Sequence, residues 1–362
     1  MYTVIPLEVH NEIVLKNFLK RGYDQQEAEA YAKIGALASW HGIRTHNAIK
    51  AISLDDHFGS KVGGFVPKAK VEVLSSKFKA FEQWNSHKKS GPAVAFAAMD
   101  RAMELADEFG VGTVVVDNAT HYLWGGGYVL YGADKGFISY TGCTSTLAEV
   151  VPFLGSSPTL GTNPHSWSFP TKSLIGYNIT IDWATSTVAW GRVAQSIREG
   201  KELPPGAALD KDGNPTTDPH KAAAVTTFGG HKGFGLSLID ELWAAYIGGS
   251  LPSIRGRFGN GQPGEKHLSS FVFQCTHPDA LNCHGFAFGR SQEENIKAIL
   301  TDIRSHGNDA VKFPGQPEAE NAKLSEKNGG LLFTDAEIKE FTSIAQEAEV
   351  AFDPTQYKRV NG

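Results

Sequence analysis

A helix that runs straight into a β-branched strand is the feature that most limits what this chain can fold into. From Gly91 to Phe109, Val94, Ala98, Ala102, Leu105 and Ala106 recur on one helical face, and Gly110 ends the pattern. Thr113-Val114-Val115-Val116 follows, a β-branched run that ends in the polar stretch Asp117-Asn118-Ala119-Thr120, read here as a turn. A helix feeding a buried strand predicts an α/β fold. His121 comes just beyond that strand end, where chain direction changes and side chains face a cleft.

Around this unit the patterning varies. Leu7 to Leu37 reads as a helical hairpin broken at Gly22, and the Gly- and Pro-rich segment 58–70 marks a lobe boundary. Short strands at Phe137–Tyr140, Trp167–Phe169 and Tyr177–Ile181 predict mixed or antiparallel sheet. A second helix is expected over Gly233–Ile247, with Leu236, Ile239, Leu242, Trp243 and Tyr246 on one face. Residues 255–267 read as a long polar loop, and Gln292–Ser305 and Asp335–Val350 as amphipathic helices, the latter capped by Thr334. With 362 residues, 41% of them hydrophobic, the chain can bury a large core in two or three lobes.

The charge excludes several classes. Thirty-four basic and 39 acidic residues, a net of -5, are spread along the chain without the basic stripe of a nucleic-acid binder. No apolar run approaches the thickness of a bilayer, and the N-terminal segment places charges inside its apolar runs, so no membrane partner is expected. Cys143, Cys275 and Cys283 form neither a disulfide framework nor a CxxC pair, which fits a reducing, cytoplasmic setting. There is no GxGxxG after a strand, no P-loop, no HExxH and no GxSxG elbow.

What remains is carried by single residues and loops. His121 precedes Gly125-Gly126-Gly127, a run that would let backbone approach a ligand, and histidine supplies a proton near neutral pH. His41 and His46 lie in WHGIRTHNAIK; on a helix, His46 and Lys50 would share a face, and Lys50 could hold a carboxylate. The alternative is a solvated helix end. No third ligand accompanies these histidines, so no metal site is expected. Asp182 ends a strand, and Thr185-Ser186-Thr187 after it would cap a helix or bond a ribose or phosphate. Lys232 sits between glycines at a helix start, a place for an anion or simply a tight turn. Phe313-Pro314-Gly315-Gln316 is a turn by its chemistry, and Trp40, Trp124 and Trp243 are pocket walls or core.

Taken in order, HGIRTHNAIK, GVGTVVVDNATH, VVPFLGSSPTLGTNP, IDWATSTVAWGR, GKELPPGAALDKDGNPTTDP, GHKGFGLSLIDEL and KFPGQ resemble the type-2 malate/L-lactate dehydrogenase family, which includes ureidoglycolate and sulfolactate dehydrogenases, diketogulonate reductase and piperideine-2-carboxylate reductase. The resemblance implies a non-Rossmann α/β fold with a largely antiparallel cofactor-binding sheet and a helical lobe built from both termini. It implies three segments: a helical lobe with the substrate-side motif (1–70), a cofactor-binding α/β domain (71–309) and a C-terminal segment packing on the first lobe (310–362). It further implies a homodimer using NAD or NADP, with His121 as catalytic acid/base. Thr146, Asp182, Trp183, Ala184, Lys232, Pro314, Gly315 and Gln316 match cofactor contacts. The substrate-side motif departs from the family's Ser-His-Gly with a following arginine, reading Thr45-His46-Asn47 and Lys50, and Tyr122, Leu123 and Trp124 replace small residues after His121. Lys50 keeps the charge but not the planar fork that grips a carboxylate.

The expectation is hydride transfer between nicotinamide and a small anionic 2-oxo or 2-hydroxy acid, His121 moving the proton and Thr45, His46 and Lys50 orienting the substrate. Reduction of a cyclic imine such as piperideine- or pyrroline-2-carboxylate is the alternative. Two readings of other kinds are a catalytically silent nucleotide binder and a metal-dependent lyase or hydrolase using His41, His46 and Asp55.

Overall fold

The computed structural model describes residues 1–74, 77–145, 147–247, 268–282 and 287–361. Thr146, Cys283 and the loop expected at 255–267 lie outside the described residues. The chain opens with β1 (Tyr2–Ile5), α1 (Leu7–Lys20), α2 (Gln25–Trp40) and α3 (Ala48–Phe58). Asp24 and Glu27 form a reciprocal capping box at the start of α2, which satisfies donors that a helix end otherwise leaves open. The Asn47 side chain caps α3, accepting from the Ile49 and Lys50 amides. His46 therefore precedes the helix, and the helical pairing expected for His46 and Lys50 does not form.

Next come β2 (Glu72–Leu74), β3 (Phe81–Asn85), α4 (Gly91–Phe109), β4 (Val111–Ala119), α5 (Gly125–Asp134), β5 (Ile138–Cys143), β6 (Val150–Val151), β7 (His165–Phe169), α6 (Lys172–Ile175) and β8 (Ile179–Trp183). Helix α4 ends as expected, on Gly110 in the left-handed region (φ 81°). Strand β4, however, runs on through Asp117, Asn118 and Ala119, residues read as a turn. Asp117 pairs with Asn85 of β3, and the Asp117 and Asn118 carbonyls accept from the Ser86 and Lys88 amides. Neighbouring backbone supplies the hydrogen bonds that polar composition made look unavailable.

The remainder comprises α7 (Trp190–Glu199), β9 (Ala208–Leu209), β10 (Pro215–Thr216), β11 (Ala224–Thr226), α8 (His231–Ile247), β12 (Ser269–Thr276), α9 (Gln292–Arg304), α10 (Gln316–Asn328), β13 (Leu331–Thr334), α11 (Asp335–Glu347) and β14 (Arg359–Val360). The main sheet has seven strands in the order β2-β3-β4-β12-β5-β7-β8. All of its pairings are antiparallel except β3 with β4. Its centre is β12, a strand not singled out in the sequence reading. Phe271 and Phe273 face the same core as α4, while Val272 turns to the opposite face with Val115 and Ile247. A small sheet, β10-β9-β11-β6, carries its own cluster of Val150, Leu160, Val193, Leu203, Ala208 and Val225.

Both chain ends build the helical lobe. Strand β1 pairs with β13 and β14, and α11 packs beside α1 and α3. Arg21 ties the three helices together, reaching Asp55 (2.9 Å), Asp56 (2.6 Å) and Glu347 (2.9 Å). One apolar core runs from this lobe, through Ile13, Phe18, Tyr31 and Phe341, into the α4 side of the main sheet. The fold is thus α/β with a mixed, non-barrel sheet and helical lobes. Among the described residues no helix is long and apolar enough to cross a membrane.

Candidate active site

The site forms where the end of β4, the entry to α3 and the end of β8 meet. Thr120 Oγ1 donates to the Lys89 carbonyl (3.0 Å), pinning the chain just before His121. Leu123 then takes a positive φ (71°), a conformation that costs a branched residue roughly 1–3 kcal/mol. That turn aims the Leu123 N–H at His121 Nδ1 (2.9 Å). An imidazole nitrogen that accepts carries no hydrogen, so in the neutral ring the hydrogen sits on Nε2.

The His46 ring lies beside it, stacked at a centroid distance of 6.0 Å and an interplanar angle of 19°, and His46 Nδ1 shares a 2.8 Å hydrogen bond with the Thr45 hydroxyl. Burial and the positive charge of Lys50 lower the His46 pKa to about 4. Burial, with His46 and Lys50 as like charges, lowers that of His121 to about 3. Both rings are neutral at neutral pH.

The tertiary structure adds Glu149, which directly precedes β6. Burial raises its pKa to about 7, opposed by the attraction of Lys50, whose own pKa is lowered by burial and supported by Glu149. The only trace of Glu149 in the sequence is an acidic residue set against the apolar pair Val150-Val151.

A cavity of about 220 Å³ is lined by Thr45, His46, His121, Trp124, Trp183 and Ala184 among others. Lys50 does not line it and acts on it through its charge. A larger cavity of about 1300 Å³ adjoins it, with Trp40, His41, Pro314 and Gly315 in its wall. Ile43, Trp124, Asp182 and Trp183 line both. The Asp182 carboxylate accepts from Ser166 Oγ (2.5 Å) and Trp124 Nε1 (3.0 Å). The surrounding protein raises its pKa, and these hydrogen bonds oppose the shift. Trp183 Nε1 is buried without a hydrogen-bond partner among the described residues.

Other expected residues fall elsewhere. Lys232 is exposed in the first turn of α8 and lines neither cavity. Gln316 is held by Arg304 (2.8 Å), Tyr177 (3.2 Å) and Glu320 (2.9 Å). Thr185 donates to the Thr162 carbonyl (2.9 Å) and Ser186 to that of Val188 (2.9 Å), while α7 starts later, after Ala189, so the run caps no helix. The glycines after Trp124 make room for protein side chains, and Gly125 also lines the 220 Å³ cavity. A Cβ at Gly125 would lie 2.6 Å from Ser166 Oγ, one at Gly126 2.5 Å from Trp124 Nε1, and one at Gly127 2.6 Å from Ile34 Cδ1. Asp55 is engaged by Arg21 and Tyr23, inside the helical lobe. Among the described residues no group of three His, Cys, Asp or Glu side chains could hold a metal ion.

The family model for malate/L-lactate dehydrogenases matches residues 5–342. The chain belongs to that family. It is 29% identical over 331 residues to the malate/(S)-sulfolactate dehydrogenase of Methanothermus fervidus, covering 90% of this chain and 93% of that one. It is 28% identical to the 2,3-diketo-L-gulonate reductase of Klebsiella pneumoniae, over 89% of this chain and 92% of the relative. The crystal structure of malate dehydrogenase from Entamoeba histolytica superposes with a TM-score of 0.84 at 22% identity, over 97% of this chain and 99% of that one, a likeness of fold. Within a malate/L-lactate dehydrogenase fold, then, this chain presents two neutral, stacked imidazoles next to a lysine charge, beside a wall of two tryptophans and an aspartate.

Proposed function

We propose that the chain is an NAD(P)-dependent oxidoreductase that interconverts a small 2-oxo acid and its 2-hydroxy acid in the 220 Å³ cavity, with His121 as the acid/base. The observation that carries this reading is the His46–His121 pair held neutral in a small cavity under the charge of Lys50. An anionic substrate offsets that charge, so it binds where a cation would be repelled. Its carboxylate also favours protonation of the imidazoles, coupling substrate binding to proton uptake. Once that uptake has made His121 an imidazolium, its Nδ1 releases the Leu123 N–H. Nε2 then gives its proton to the substrate oxygen and the ring returns to neutral, while Thr45 and His46 orient the acid. Such proton transfer contributes about 10²–10⁴-fold to rate.

The residues fit a nicotinamide dinucleotide. Trp183 Nε1 is an unused buried donor in the wall shared by the two cavities. Trp183, Ala184 and Asp182 would line the cofactor's path, with Pro314 and Gly315 along the larger cavity. When bound, the nicotinamide supplies or accepts the hydride. The exposed apolar side chains of α8 support a homodimer.

The test is a panel of 2-oxo acids, oxo-sulfonates and cyclic imines assayed with NADH and NADPH. We expect turnover with a 2-oxo acid; turnover of cyclic imines alone would move the chemistry to a C=N bond. His121→Ala should lower kcat about 10²–10⁴-fold while NADH binding, read by fluorescence, persists. Full activity in that variant would remove His121 from the mechanism.

A further inference from the structure

Trp124 is held from several sides where a cavity-lining residue would ordinarily be free to move. The residue is 3% exposed. Its Nε1–H donates to Asp182 Oδ2 at 3.0 Å, and the same carboxylate is fixed from the other side by Ser166 Oγ at 2.5 Å. Behind it, a Cβ at Gly126 would come within 2.5 Å of Trp124 Nε1 and one at Gly127 within 2.9 Å of Trp124 Cε3, so the ring lies flat against bare backbone. The His41 ring borders it at 5.7 Å between centroids, and the strained Leu123 backbone sets the entry of the chain. A side chain that is bonded, backed and framed in this way cannot swing aside without breaking its hydrogen bond to Asp182.

The same indole lines both the 220 Å³ cavity of His46 and His121 and the 1300 Å³ cavity next to it. We propose that Trp124, fixed by Asp182, is a rigid partition that sets the upper size of the substrate, confining it to short-chain 2-oxo or 2-hydroxy acids. A cavity of 220 Å³ is below the roughly 300–1,000 Å³ of pockets that take drug-sized ligands. An extended or branched acid would need the space that the indole fills. This rests on the small-acid reading above. Asp182 thereby acts through Trp124 as a positioning residue, besides any contact with the cofactor.

The test compares binding of oxamate with that of N-butyl oxamate, non-reacting anions of short and long chain, by calorimetry with and without NADH. The wild-type protein should bind oxamate and discriminate against the butyl compound. Trp124→Ala should narrow that discrimination by about tenfold or more, the scale on which apolar pockets read added methylenes. Trp124→Leu keeps the site apolar if the alanine variant does not fold, and should narrow it in the same direction by less. Asp182→Asn should loosen the partition and lower the KM of long acids more than it changes kcat. Unchanged discrimination in a folded variant overturns the proposal, as does a wild-type protein that binds both anions equally or neither. Failure of the dehydrogenase reading shows separately, as absent NADH binding and turnover, while the cofactor-free titrations still report on the partition.

Discussion

Helices α4 and α8 lie against opposite faces of the same two strands, β4 and β12, and they are built inside out with respect to each other. Helix α4 turns Val94, Ala98, Met99, Ala102 and Leu105 into the main core, all at or below 1% exposure. Helix α8 buries Ser237, Asp240 and Glu241 and shows Leu238, Ile239, Leu242, Trp243 and Tyr246, the last 87% exposed, to solvent. Its polar side is received by side chains from the sheet layer. Asn163 donates to the Ser237 carbonyl (3.1 Å) and to Glu241 (3.0 Å). His165 Nε2 donates to the Leu236 carbonyl (3.0 Å) and lies 3.4 Å from Asp240, whose carboxyl oxygens have no hydrogen-bond partner among the described residues. An apolar stripe shows that a helix covers something; it does not say whether the thing covered belongs to the same folded unit.

The contrast can be broken at several points. Met99→Ala empties part of the α4 core and should cost about 2–5 kcal/mol in denaturant unfolding. A loss below 1 kcal/mol would mean that α4 is not the anchor described. Asp240→Val, by contrast, should stabilise the protein by roughly 1 kcal/mol or more, because it removes a buried carboxyl without hydrogen bonds. The gain should depend on pH. Burial, then the neighbouring Glu241, raises the folded-state pKa of Asp240 above its unfolded value. The native state therefore holds that proton, and the penalty for Asp240 grows as pH rises above the ordinary carboxylate range. The variant's advantage should be smallest near pH 4 and increase toward neutral pH; an advantage independent of pH would assign it to packing instead. Leu242→Glu has the smallest expected effect on the fold, within about 0.5 kcal/mol, since the side chain is exposed. Sedimentation should nonetheless show it shifting the proposed homodimer toward monomer, and an unchanged mass would place any subunit contact elsewhere.

Local patterns were legible where a short window contains its own cause. The α4 boundaries follow from apolar spacing and Gly110, and the start of α11 from Thr334 and Glu337. The candidate site was legible in its parts. His121, His46, Thr45 and Asp182 could be named, and the structure brings His46 and Thr45 to His121 around one cavity. Glu149 could not, because its relation to Lys50 joins segments about a hundred residues apart. The tautomer of His121 was equally hidden, since it depends on the backbone turn at Leu123. Central strand β12 was missed because its pairing partners lie far away in sequence.

By itself the sequence determined the α/β character, the helical ends, the family and the short list of residues able to move a proton. These depend on side-chain periodicity, local capping and chemical type, which act within a few residues. Only the tertiary structure decided that the glycine run accommodates Trp124, that His46 stands before its helix, that Lys50 works through its field, and that α8 faces outward. Each of those depends on what a distant segment places within a few ångströms, and contact and burial across the fold have no counterpart in local spacing.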